Sequence, residues 1–266
     1  NNLLDIDASL DLLRDLDSDK SIFLIHKHNN PCGVAIRDSV LEAYEDALSC
    51  DNISAFGGIL TSNKTIDKIS ANQINKLFFE IIIAHDFEEE ALTILKSKKN
   101  RIIIKLNKIP SKSIQSRSCL NGVLEQDVDK KIENFEDFKV VTKQSPDNSN
   151  SDDLVLASII AKHTKSNCIV IVKNQQLIGS GMGQVSRIDA LDQAIEKSKR
   201  FGFELNQSSL ASDAFFPFSD CVEISYKNGI DSIVQPGGSV RDQESIDFCN
   251  ENEMSMVFSG IRHFRH

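Results

Sequence analysis

A lysine and a histidine stand side by side at Lys27 and His28, closing the apolar run SIFLIHKH just before NNPCG. A histidine titrates near neutral pH and exchanges protons with a bound group, while a neighbouring ammonium stabilises negative charge that develops beside it. The pair can therefore present a cation and a base of tunable pKa to one cleft. Successive strand residues face opposite ways, so both reach one site only where the chain twists or bulges. His26 precedes them, and His263 and His266 lie in the terminal RHFRH, which places four of the six histidines in two short segments. Surface positions at a strand end and in a frayed tail are the alternative reading of both clusters. His26, His28 and Cys32 invite comparison with zinc deaminases, but an H-x-E element and a cysteine three residues after Cys32 are missing. No metal site is expected.

Three further segments could hold an anion or a flat ring. Gly179, Gly181 and Gly183 form G-x-G-x-G between a strand-like and a helix-like run, which fits either a phosphate loop or a strand packed tightly on a neighbour. Arg187 follows Ser186 at the start of the next helix, where a guanidinium fork and free amides would meet an anion. PGGS, from Pro236 to Ser239, repeats the order of strand, glycines and helix. FFPFSD gathers Phe215, Phe216 and Phe218 around Pro217, which reads as hydrophobic core or as an irregular aromatic wall for a heterocycle. The terminal IRHFRH sets Arg262 and Arg265 in a chain of net charge −9, the local reversal of field that a phosphate or carboxylate ligand requires.

The elements that must position these residues alternate between helix and strand. Ile6, Leu10, Leu13 and Leu16 are spaced as one face of a helix, and SIFLIHKH is a strand that stops at NNPCG, where Pro31 and Gly33 predict a loop or turn. Helix SVLEAYEDALSC, strand FGGILTS, a helix from about Asp67 to Phe79, strand EIIIAHD, helix FEEEALTILKS and strand RIIIKL follow. The pattern weakens from Asn107 to Asp153, where FKVVTK reads as one strand and SPDNSNSDD as a seam. Helix DLVLASIIAKH, strand CIVIVK, strand LIGSGMG and a helix opened by Ser186 with Asp189 resume it. DSIVQ, the PGGS turn, helix VRDQESIDFCNE and strand MSMVF close the chain. The class is α/β, with units expected at 1–106 and 154–266 joined by a connecting segment at 107–153.

Composition narrows the function. In 266 residues, 30 Lys and Arg face 39 Asp and Glu, which argues against nucleic acid as a partner. No apolar run reaches the length of a membrane helix and the opening residues are acidic where a secretory signal is basic, so a cytoplasmic protein without a membrane partner is expected. Six cysteines without a C-x-x-C motif suit reduced thiols.

HKHNNPCGVA, SAFGGI, EIIIAHDFEEEALTIL, SNCIVIVK with IGSGMGQVSR, LASDAFFPFSD, QPGGSVRD and FSGIRHFRH together resemble, in this order, the aminoimidazole carboxamide ribonucleotide (AICAR) transformylase part of a bifunctional purine-biosynthesis family. The resemblance implies two cytidine-deaminase-like α/β units in tandem, without catalytic zinc. It implies formyl transfer from the co-substrate 10-formyltetrahydrofolate to the 5-amino group of AICAR, giving formyl-AICAR and tetrahydrofolate in de novo IMP synthesis, at sites on a homodimer interface and without a metal.

Residue by residue, the resemblance puts the proton acceptor on His28 and the stabilising lysine on Lys27. Nucleotide contacts fall on Gly57, Asn167, Arg187, Phe215 and Arg262, with Phe264 and His266 closing the site. Folate contacts fall on Glu80, where some members have Asp, and on Ile188, Asp220, Ser239 and Val240. The family's R-Y-G-E-N-P-H-Q motif lies upstream of the segment matching NNLLDIDASL and its cyclohydrolase domain is absent from this sequence, so an N-terminally truncated or split version is expected, with a separate cyclohydrolase fragment as a further partner. A non-catalytic fragment that holds folate or a partner is the competing reading, and a zinc hydrolase of deaminase-like fold a third.

Overall fold

The computed structural model describes residues 1–16 and 18–266. Its first nine elements are α1 (Asn2–Asp15), β1 (Ser21–Lys27), β2 (Asn30–Arg37), α2 (Val40–Cys50), β3 (Ile59–Ile66), α3 (Lys68–Ile74), β4 (Ile81–Phe87), α4 (Glu89–Lys96) and β5 (Ile102–Lys105). A hairpin of β6 (Ile114–Cys119) and β7 (Gly122–Asp127) and a two-residue strand β8 (Lys139–Val140) follow. The last nine are α5 (Asn148–Lys162), β9 (Ile169–Lys173), β10 (Gln176–Gly181), α6 (Arg187–Arg200), β11 (Ser208–Ser212), α7 (Asp220–Lys227), β12 (Ile230–Gln235), α8 (Asp242–Glu251) and β13 (Ser255–Phe258).

The last nine elements repeat the order of the first nine. Eleven strands form one mixed sheet in the order β5-β4-β3-β1-β2-β10-β9-β11-β12-β13-β8, so the two sets run outward from a central β2–β10 pairing at Ala35 and Gln176. In each set a hairpin pairs antiparallel with the next strand, and the three outer strands run parallel, joined by helical crossovers. Both hairpins turn on two left-handed residues, His28 and Asn29 in one and Asn174 and Gln175 in the other. The fourth residue after each turn is glycine. A Cβ on Gly33 would lie 2.1 Å from the Ala47 carbonyl oxygen and one on Gly179 would lie 2.5 Å from that of Ala194, so α2 and α6 sit against their strands at backbone distance.

Helices cover both faces, which explains why the central strands are apolar throughout. Ile22 and Leu24 of β1 pack with Leu12 of α1 and Ile160 of α5, while Phe23 and Ile25 pack with Tyr44 and Ala47 of α2. Ile169 and Ile171 of β9 meet Leu191 and Ala194 of α6. A buried ionic contact ties α1 to α5: the Asp15 carboxylate accepts from Lys162 and from His163 Nε2, each at 2.8 Å.

The structure corrects several expectations. The expected turn falls at His28 and Asn29, but the rest of NNPCG is strand: Asn30 opens β2 and Pro31 pairs with His26 at a bulge after Ile25, where an interrupted ladder needs no proline N–H. The helix after Asp67 stops at Ile74, and FKVVTK contributes only Lys139 and Val140 to the sheet. Helix α5 starts inside the polar stretch, capped by the Asp147 side chain. Strand β11 and helix α7 were not expected. The SSLAS run of β11 is buried, and Ser208, Ser209 and Ser212 satisfy their hydroxyls on the carbonyls of Leu205, Asn150 and Ala214. The β6–β7 hairpin is exposed on both faces and so has no apolar alternation. Among the described residues no helix is long and apolar enough to cross a membrane.

Candidate active site

Strand directions bring every residue singled out for chemistry to one rim of the sheet. Strand β1 ends there at Lys27, β3 and β4 begin there after Gly57 and Glu80, and β9 begins there after Asn167. Strands β10 to β13 all end at the same rim and deliver Arg187, Phe215, Ser239 and Arg262 to it.

At the first hairpin the bulge after Ile25 and the left-handed residues His28 and Asn29 break the strict alternation of faces. Lys27 Nζ donates to the Phe56 carbonyl at 2.6 Å, and His28 is exposed in the turn. The turn is fastened by Asp5, a buried residue of α1 whose carboxylate accepts the Asn29 N–H at 2.5 Å. Gly57 has φ +74° and donates its N–H to Phe78, and the Glu80 N–H donates to Gly58. His26 is not a surface residue: it is fully buried and neither ring nitrogen has a partner. Burial, reinforced by the charges of Arg265 and His163, pushes its pKa down to about 3, so it stays neutral. Cys32 lies in the apolar cluster under α2, where burial pushes its thiol up to about 12. Among the described residues no group of three or more potential ligands is placed to hold a metal.

The second group centres on Arg187. Ser186 caps α6 by accepting the Asp189 N–H at 3.1 Å, and Arg187, the first helical residue, donates to Asp213 at 3.3 Å. Asp213 is buried at the end of β11, and Arg187 Nε and the second Asp213 oxygen are buried without partners. Half-buried Ile188 follows. Asn167 exchanges backbone hydrogen bonds with Gln184 and donates its side-chain amide to the same carbonyl at 3.0 Å. The two groups meet where the Asn30 side-chain oxygen accepts the Lys165 N–H at 2.9 Å.

The C-terminal segment is pinned rather than frayed. His263 is buried between Glu133 at 2.9 Å and Asp129 at 2.5 Å; burial alone would depress its pKa, but these hydrogen bonds outweigh it and raise the value. Arg265 donates to the His163 carbonyl and exchanges hydrogen bonds with Ser166. Arg262, Phe264 and His266 remain exposed, the last two rings stacked at 5.7 Å.

Phe215 is half-buried, Phe216 belongs to the core and Phe218 lies exposed under Arg241, so FFPFSD is both core and wall. Asp220 opens α7, exposed, and Ser239 and Val240 follow the β12 turn, Val240 fully exposed. At the glycine motifs the backbone is closely packed or already hydrogen-bonded at two positions. A Cβ at Gly181 would lie 1.8 Å from the Ala190 carbonyl oxygen, the close-packing alternative, and the Gly238 N–H is already taken by the Asp242 carboxylate at 2.7 Å. Sequence reasoning missed Asp5, Asn30, Asp129, Glu133 and Asp213, whose partners lie far along the chain and leave no local signal.

Not all of these residues converge within one chain. Along the sheet Lys27 and Ser239 are five strand spacings apart, about 24 Å, and Glu80 and Ser239 seven, about 34 Å.

The AICARFT/IMPCHase bienzyme family model matches residues 1–197, and the chain belongs to that family. The chain is 54% identical over its whole length to the bifunctional purine biosynthesis protein PurH of Bacteroides thetaiotaomicron, covering 52% of that protein. It is 46% identical to the PurH of Caldicellulosiruptor saccharolyticus and 45% identical to that of Aquifex aeolicus, again over all of this chain and 51% and 52% of the relatives. The chain spans about half the length of the curated relatives it matches.

Proposed function

We propose that this chain transfers a formyl group from 10-formyltetrahydrofolate to the 5-amino group of AICAR in purine biosynthesis, serving as the transformylase part of the bienzyme its family is named for. The observation that carries this reading is the arrival at one rim of the Lys27–His28 turn, the Arg187–Asp213 pair and the exposed Arg262, Phe264 and His266. The amine lone pair is delocalised into the imidazole and carboxamide, so attack on the formyl carbon needs proton removal and orientation. His28, exposed in the turn, takes the proton, directly or through the carboxamide. Lys27 exchanges the Phe56 carbonyl for the developing oxyanion or assists the departing folate nitrogen, and a cation so placed in a dry site lowers the barrier by several kcal/mol. Arg187, steadied by Asp213, and Arg262 bind the nucleotide with Gly57, Asn167 and Phe215, and Phe264 and His266 close over it.

Glu80, Ile188, Asp220, Ser239 and Val240 bind the folate. Their spread of about 34 Å along one sheet supports a homodimer in which one chain supplies Glu80 and its partner the rest. The mirrored sets of nine elements support two deaminase-like units, at 1–106 and 154–266, with residues 107–153 connecting them.

A formyl-transfer assay with purified chain, AICAR and 10-formyltetrahydrofolate tests the reading. His28→Ala and Lys27→Ala each should lose roughly 10²–10⁴ in kcat with smaller changes in KM. Absence of transfer by the unmodified chain, or a His28→Ala rate within about threefold of it, would overturn the assignment.

A further inference from the structure

A buried ion pair joins the two repeated sets close to Lys27. Asp51, at the end of α2, is 4% exposed, and its carboxylate accepts from Lys197 Nζ of α6 at 2.8 Å. The second carboxylate oxygen accepts the Ser54 N–H at 2.8 Å, and the Asp51 carbonyl accepts the Ala55 N–H at 3.1 Å. Burial would raise the Asp51 pKa, but Lys197 and Ser54 outweigh it and hold the carboxylate below its ordinary range, so it stays charged. The turn continues with the Phe56 N–H on the Ile53 carbonyl and the Gly58 N–H on that of Ala55. It presents the Phe56 carbonyl, which accepts Lys27 Nζ at 2.6 Å.

Side-chain packing does little to hold this turn. From Asn52 to Gly57 only Ala55 is buried, and the Phe56 ring leans on Phe78, itself exposed. A charged pair in the interior is often no more stabilising than apolar residues of the same shape, but it demands one geometry. Helix α6 also begins with Arg187, so one rigid element carries that guanidinium at its start and the anchor of the turn ten residues, about 15 Å, further on. We propose that Asp51 and Lys197 are positioning residues for Lys27: the pair anchors the 51–58 turn to α6, and the turn holds the ammonium where charge develops during transfer. The functional half of this inference rests on the formyl-transfer reading given above; the placement of Lys27 does not.

Competitive labelling of the full chain with an amine-directed acylating reagent reads the freedom of Lys27 without any substrate, with exposed Lys227 as internal reference. Asp51→Asn keeps an acceptor for the Ser54 N–H but loses the charge that holds Lys197, which is 19% exposed and can turn its ammonium to water. Adding Lys197→Met removes the second charge and covers the case in which a stranded lysine unfolds the chain. Both variants, at temperatures where circular dichroism shows them folded, should raise labelling of Lys27 severalfold relative to Lys227. In the formyl-transfer assay kcat should fall roughly tenfold with KM for both ligands within about twofold, because Lys27 acts in the transition state. Lys197→Arg keeps the charge and the reach and should stay close to the unmodified chain on each readout. A pair that is only structural would lower the unfolding midpoint and leave labelling and kcat of the folded variants unchanged, which overturns the proposal. Raised labelling with unchanged kcat overturns its catalytic half. Absence of transfer by the unmodified chain counts against the formyl-transfer reading instead, and labelling then decides whether the pair places Lys27.

Discussion

Asn30 and Lys165 lie 135 residues apart in the chain, yet the side-chain oxygen of one accepts the backbone N–H of the other at 2.9 Å. The contact fastens the turn carrying His28 to the loop carrying Asn167, across the β2–β10 junction of the two repeated sets. Asn30→Ala should therefore cost about 1 kcal/mol of stability, the ordinary worth of one hydrogen bond. It should also reduce formyl transfer severalfold at temperatures where the variant is fully folded. Denaturant titration measures the first effect and steady-state rates the second; unchanged rates would show that the turn keeps its place without the clamp.

Arg187→Lys keeps the charge but loses the planar fork that Asp213 orients. AICAR binding should weaken, and folate binding should change less. Calorimetry on both ligands distinguishes this from a structural role, which would lower both equally.

Gly181→Ala should act on stability rather than on ligands. Its Cβ would fall 1.8 Å from the Ala190 carbonyl oxygen, so α6 must shift off β10 at a cost of at least about 1–3 kcal/mol. Unfolding midpoints should drop accordingly. A phosphate-loop glycine would instead show reduced AICAR affinity at unchanged stability.

His26 governs part of the acid limb of stability. Its folded pKa of about 3 lies below its ordinary 6.5, so between these values the unfolded chain holds more protons than the folded one. Stability is fully present above about 6.5 and declines as pH falls toward 3, by at most about 1.4 kcal/mol per pH unit from this residue. His26→Leu removes two unpartnered buried nitrogens and this dependence together. Denaturant titrations of the variant between pH 4 and 7 should show a shallower slope than the unmodified protein; an equal slope would place the dependence on other groups, His163 first among them, whose pKa burial also lowers.

Much of the architecture was legible because it depends on near neighbours. Apolar periodicity located α2, β4, α4, β9 and β12, and Ser186 with Asp189 marked the start of α6, since burial of one face and a local cap each leave a pattern a few residues long. The same reading stumbled at Pro31, where a bulge removed the need for an N–H, and at β11, where hydroxyl-satisfied serines, Ser209 through the distant Asn150 carbonyl, occupy a buried strand.

The residues by themselves determined the alternating α/β class, the place of Lys27 and His28 at a strand end, and the kinship with the AICARFT/IMPCHase bienzyme family, because these depend on residue type and short-range order. Only the tertiary structure decided that two sets of nine elements share one sheet through β2 and β10, that His26 is buried while His28 is exposed, and that Asp213 holds Arg187. Strand pairing and buried ion pairs join segments many residues apart, and their energy depends on the solvent exclusion and geometry that exist only once the chain has folded.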